Sequence, residues 1–106
     1  MWVLRVEGLP DNRDGTTFRL SDGSVKTVGR AVRADFIVDA PLVSRVHCRL
    51  TADKSGQLIV EDLDSTNGTR LNGARVKRAI AKAGDQIGVG KVSLAVERHD
   101  NASARR

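Results

Sequence analysis

Residues 64–73 read Asp64-Ser65-Thr66-Asn67-Gly68-Thr69-Arg70-Leu71-Asn72-Gly73. The stretch holds two Asn-Gly pairs. Both residue types tolerate positive φ, so each pair suits a turn, and Asn72-Gly73 reads as a hairpin turn. Helical periodicity is nearly absent on either side. The neighbouring apolar segments are short, rich in β-branched residues and separated by Gly, Asp and Asn clusters. That pattern belongs to an all-β sandwich or barrel.

Upstream, Leu58 to Glu61 is a strand entered through the turn Lys54-Ser55-Gly56-Gln57. Val46, Cys48 and Leu50 share one face, while Arg49 and Thr51 take the other. Pro41 interrupts the run that follows the very short strand Phe36-Ile37-Val38. Val25 to Val28 and Thr16 to Leu20 read as strands joined through Ser21-Asp22-Gly23-Ser24, and Asp11 to Gly15 as a polar loop. In Trp2-Val3-Leu4-Arg5-Val6-Glu7, alternation turns Trp2, Leu4 and Val6 inward and Arg5 and Glu7 outward, so the first three strands suggest a meander. Downstream, Ile80, Ile87 to Gly90 and Val92 to Val96 supply the closing strands, with Val92, Leu94 and Val96 inward. The expected fold is a β-sandwich of about ten or eleven antiparallel-type strands, with polar loops gathered at one end. One domain is expected over residues 1–98, and residues 99–106, which lack an apolar pattern, are expected to be a flexible tail.

The bulk numbers agree, because 106 residues suit one compact domain and a 40% hydrophobic content supplies a modest core. A formal charge of +5 and a pI near 10.1 predict attraction to anions: nucleic acid, membrane surfaces, acidic peptides or phosphoproteins. The lone Cys48 excludes an internal disulfide. With no signal-peptide pattern and no bilayer-length apolar run, an intracellular protein without a membrane role is expected.

Three loops carry the polar interest: Gly29-Arg30 with Arg33 nearby, Ser44-Arg45-Val46-His47, and Asp64 to Thr69. They offer guanidinium forks from Arg30 and Arg45, hydroxyls from Ser44 and Thr66, and an amide from Asn67. Together these donors describe a shallow oxyanion receptor. Each residue also has a structural reading. A single Arg is usually a solvated charge, Ser44 can begin a strand, Thr66 and Asn67 suit a turn, and Cys48 in phase with Val46 and Leu50 reads as a buried small apolar residue.

An enzyme reading fares poorly. Ser44 and His47, three apart on an extended segment, point to opposite faces, and nucleophilic catalysis needs a base within reach. One Cys and two His do not complete a usual zinc shell. No catalysis, metal or cofactor is expected. The rival reading is a basic nucleic-acid module, but one Trp, two Phe and no Tyr offer few stacking platforms. A third is a phosphate-independent protein interaction module.

Taken in order, Gly29-Arg30, the Ser44-x-x-His47 motif, Ser65-Thr66-Asn67-Gly68-Thr69 and Asn72-Gly73 resemble a forkhead-associated (FHA) domain, a β-sandwich that binds phosphothreonine peptides. The likeness runs from about Trp2 to Glu97 and includes Gly84-Asp85-Gln86-Ile87. It implies that Arg30, Ser44 and Thr66 meet the phosphate, that Arg45 meets phosphate or peptide backbone, and that Asn67 holds the peptide main chain. It also implies that Gly29, His47 and Gly68 support the site. The partners implied are phosphothreonine proteins made by Ser/Thr kinases, and the basic excess adds an expectation of acidic flanking residues. The start Met1-Trp2 is similar to nibrin-type repair proteins, and His47-Cys48-Arg49 to FHA domains of RING-finger checkpoint ligases, which points to a nuclear damage or checkpoint role. Bacterial FHA domains share Ser-Arg-x-His and Ser-Thr-Asn-Gly-Thr, so a bacterial cytoplasm stays open.

Overall fold

The computed structural model describes residues 1–10 and 15–99. Most of the loop expected at 11–15, and all of the expected tail except His99, lie outside the described residues. The eleven described strands are β1 (Trp2–Glu7), β2 (Thr17–Leu20), β3 (Ser24–Gly29), β4 (Phe36–Ile37), β5 (Cys48–Ala52), β6 (Leu58–Asp62), β7 (Thr69–Leu71), β8 (Ala74–Val76), β9 (Arg78–Ala81), β10 (Gln86–Val89) and β11 (Val92–Arg98). They form two sheets, ordered β2-β1-β11-β10-β7-β8 and β4-β3-β5-β6-β9. The pairs are antiparallel except β3 with β4, which run parallel.

The sheets face one another across a core drawn from both. Leu4, Val6, Ile87 and Leu94 enter from the first sheet, Val28, Leu50, Leu58 and Val60 from the second, and all eight are fully buried. Burying each such side chain contributes about 1.5–3 kcal/mol. The inward alternation of β1 and β11 follows the sequence pattern. Val3 is also buried, although it shares the outer face with Arg5; its cross-strand neighbours there are Arg19 and Glu97, residue types whose long aliphatic stems shield an apolar neighbour.

Two expectations need correction. β1 and β2 pair as a hairpin, but β3 joins the other sheet, so no three-strand meander forms. Period-two alternation tells which side chains face the core and says nothing of which sheet a strand enters. Val46 is 43% exposed, out of phase with Cys48 and Leu50, because residues 45–46 bend and β5 starts only at Cys48.

The chain closes on itself at one pole. Trp2 lies opposite Arg98, the Met1 ammonium donates to the His99 carbonyl at 3.1 Å, and the His99 N–H returns to the Met1 carbonyl at 2.9 Å. Arg98 caps the closure, 5.0 Å from the Trp2 ring and 2.7 Å from Asp22. At the other pole Gly8 follows the end of β1 and four loops gather: β3–β4, β4–β5, β6–β7 and β10–β11. The β10–β11 and β4–β5 backbones nearly touch, for a β-carbon on Gly90 would sit 3.0 Å from the Pro41 carbonyl oxygen. Among the described residues no helix is long and apolar enough to cross a membrane.

Candidate functional site

His47 is fully buried and ties the loop pole together. Its Nδ1 accepts the Ser44 N–H at 3.0 Å, which places the ring proton on Nε2, and Nε2 donates to the Gly68 carbonyl at 2.8 Å. Its main chain bonds Val28 at 2.8 Å and Leu63 at 3.0 Å. One residue thus joins β3, the loop before β5 and the loop after β6. The bend at 45–46 brings the imidazole back beneath Ser44, where an extended segment would have sent the two apart. Both ring nitrogens are engaged, and the Ser44 Oγ accepts the Thr66 N–H at 3.0 Å. The imidazole therefore does not serve Ser44 Oγ as a base.

Two glycines permit this arrangement. A β-carbon on Gly29 would land on the Arg45 carbonyl oxygen, so the β3–β4 and β4–β5 loops lie backbone against backbone. Two bonds stitch them, from Arg30 N–H to the Ser44 carbonyl at 3.0 Å and from Ala31 N–H to the Arg45 carbonyl at 3.1 Å. Gly68 has φ of +84°, a left-handed conformation that other residues adopt at a cost, and its N–H donates to Ser65 Oγ at 2.9 Å.

Asp62 anchors the β6–β7 loop. It accepts the Ser65 N–H at 3.2 Å, the Ser65 hydroxyl at 2.5 Å and the Thr69 hydroxyl at 2.7 Å. Burial opposes its charge, but these donors outweigh burial and hold the carboxyl below its ordinary range. The sequence reading missed this anchor; an Asp followed three residues later by Ser is the local signal that finds it. Burial, reinforced by the Asp62 charge and opposed by a Thr69 hydrogen bond, pushes the Cys48 thiol up to about 12. Cys48 is a core residue.

Above these supports lies an open cleft of about 590 Å³, lined by Arg30, by residues 39–44 and by Thr66 and Asn67. The Arg30 Nε donates to the Val43 carbonyl at 3.1 Å, which tethers the guanidinium and leaves its terminal nitrogens without a protein partner among the described residues. Ser44 accepts from Thr66, so its own proton remains to be donated. The Asn67 amide donates to the Leu42 carbonyl at 3.1 Å, pinning a leucine with φ of +71°, a strained conformation for that residue type. Arg30, Ser44, Thr66 and Asn67 thus share one cleft, with Gly29, His47 and Gly68 beneath it. The Arg45 side chain is exposed and stands outside the lining. Asp39, Pro41 and Leu42 line the cleft and escaped the sequence reading. Among the described residues, no group of three His, Cys, Asp or Glu side chains converges as a metal set.

Fold and site together define a β-sandwich recognition domain with a cleft of oriented donors at its loop pole. The FHA domain family model matches residues 26–90, and the chain belongs to that family. It is 37% identical over 90 residues to the FHA domain-containing protein FhaA of Mycobacterium tuberculosis, covering 84% of this chain and 16% of that protein. It is 32% identical over 102 residues to the glycogen accumulation regulator GarA of Mycolicibacterium smegmatis, covering 87% of this chain and 63% of that one. A structure solved in a study of phosphothreonine-dependent FHA domain interactions superposes with a TM-score of 0.81 at 31% identity, covering 93% of this chain and 97% of the other. The chain spans between 10% and 63% of the length of these and similar curated relatives.

Proposed function

We propose that this FHA domain, residues 1–98, is a phosphothreonine-dependent peptide-binding module that recruits proteins phosphorylated by Ser/Thr kinases. The observation that carries the reading is the cleft itself. The free guanidinium nitrogens of Arg30, the Ser44 proton and Thr66 line one wall, each held by a hydrogen bond that leaves its outward donors unspent. These groups hold the phosphate oxygens, and the Asn67 carboxamide holds the peptide main chain. Arg45, outside the wall, meets the peptide rather than the phosphate. Gly29, His47 and Gly68 position the loops.

The module binds and does not turn over substrate, since Ser44 lacks a base. Nucleic acid is disfavoured, because Trp2 and Phe36 are buried and Phe18 stacks on Phe36 at 4.5 Å, which leaves no ring free for a base. Mycobacterial relatives favour bacterial kinase signalling over the nuclear damage response that the nibrin-like and RING-ligase-like features suggested; the relatives lend the nuclear setting no support.

Fluorescence anisotropy with peptides carrying phosphothreonine, phosphoserine or unmodified threonine tests the reading. A charge-assisted hydrogen bond is worth about 1.5–3 kcal/mol, so Arg30→Ala should weaken phosphothreonine binding about 10- to 100-fold. Arg49→Ala, on the outer face of β5 beside Glu61, should leave it unchanged. Equal affinity for phosphorylated and unmodified peptides would sink the reading.

A further inference from the structure

Among the described aspartates, Asp39 is set apart. Asp22 pairs with Arg98, Asp35 binds Thr27, Asp53 closes its turn through Ser55 and Gln57, Asp62 anchors Ser65 and Thr69, and Asp85 binds Asn72 and the Lys82 N–H. Asp64 takes a left-handed turn conformation, φ of 54°, that Asp tolerates better than most residues. Asp39 is exposed and makes no hydrogen bond or ion pair among the described residues, yet it lines the cleft that holds Arg30 and Ser44. The fold does not use its charge.

A carboxylate in that position repels a phosphate dianion and attracts a cation bound next to it. Resting on the phosphothreonine reading above, we propose that Asp39 is a specificity-determining residue. It selects phosphothreonine peptides with Lys or Arg beside the phosphate and discriminates against Asp or Glu there. The net charge of +5 argues for acidic flanks, so the two effects compete, and their range decides between them. At physiological salt the screening length is about 8 Å, so charges spread over the surface act mainly on encounter. The flank position in contact answers to the charge lining the cleft. An exposed pair of opposite charges changes affinity by about two- to fivefold, and like charges act by a similar factor in the other direction.

The test walks a single Lys or Glu through each position flanking phosphothreonine on a neutral peptide, with anisotropy read for the wild type, Asp39→Asn and Asp39→Lys. Unfolding followed by Trp2 fluorescence checks that both variants fold. The wild type should show at least one position where Lys exceeds the neutral residue, and the neutral residue exceeds Glu, each by about two- to fivefold. Asp39→Asn should flatten that preference and bind the neutral phosphopeptide more tightly. Asp39→Lys should invert the preference, and high salt should erase it. A Lys preference that survives in both variants, or a Glu preference at every position in the wild type, overturns the proposal. Binding of the neutral peptide without regard to its phosphate overturns the phosphothreonine reading, and this inference with it.

Discussion

Replacing His47 with Ala tests whether one buried imidazole assembles the recognition pole. The substitution strands the Gly68 carbonyl, which is buried, and the Ser44 N–H, which is partly buried. An unsatisfied buried polar group costs about 1–3 kcal/mol, with Ser44 at the low end because water can reach it. The void left by the ring adds to this, giving an expected loss of about 3–5 kcal/mol, a large share of a typical domain's total of about 5–15. Urea unfolding at neutral pH, followed by the single tryptophan, Trp2, which is 4% exposed, reads the loss directly. Phosphopeptide affinity should fall as well, since Ser44 and the β6–β7 loop lose their shared tether. His47→Gln can return a donor to Gly68, and His47→Asn can return an acceptor to Ser44, so each should recover part of the stability. If His47→Ala costs less than about 1 kcal/mol and binding is intact, the loops are held by something other than this residue.

Gly29→Ala should cost more than about 2 kcal/mol and weaken peptide binding, because the added carbon forces the Arg45 carbonyl and both loops apart; chemical denaturation and anisotropy check it. Asp62, whose folded carboxyl is held below its unfolded value of 3.8, binds fewer protons folded than unfolded in acid. Its contribution is complete above the unfolded value and disappears as pH falls through the folded one. Stability measured by urea midpoint should therefore fall below about pH 4 in the wild type, and less steeply in Asp62→Asn. Cys48, pushed up to about 12 and fully buried, should resist a thiol reagent in the native protein and react on unfolding, which mass spectrometry reads.

The faces of β1, β5 and β11 were legible because a strand with one buried face writes itself as alternation, and Trp2, Leu4, Leu50, Val92 and Leu94 keep that period. The sheet that receives β3 was not, since it depends on pairing with β5 more than twenty residues on at most positions, nor was the parallel pairing with β4, because alternation marks faces and carries no strand direction. In the site, Arg30, Ser44, Thr66 and Asn67 stood out as polar donors flanking turn residues. Asp62 did not, because a carboxylate at a strand end looks like any surface charge until its three donors are seen. No local rule puts a leucine at positive φ, so Leu42 was invisible; its conformation is imposed by neighbours such as Asn67. Asp39 was hidden by the overall basic balance, which describes the whole surface and not one cleft.

The pairing of Trp2 with Arg98 has a mechanical consequence. Both ends of the folded unit leave from one pole, and the ligand docks at the other, so a host protein can carry the domain as a side branch without its backbone crossing the cleft. Tension applied through those two ends does not shear β1 along β11. It peels the strands apart one rung at a time, beginning with the Met1 and His99 rung, so the linkage resists little force while the distant cleft feels the strain last.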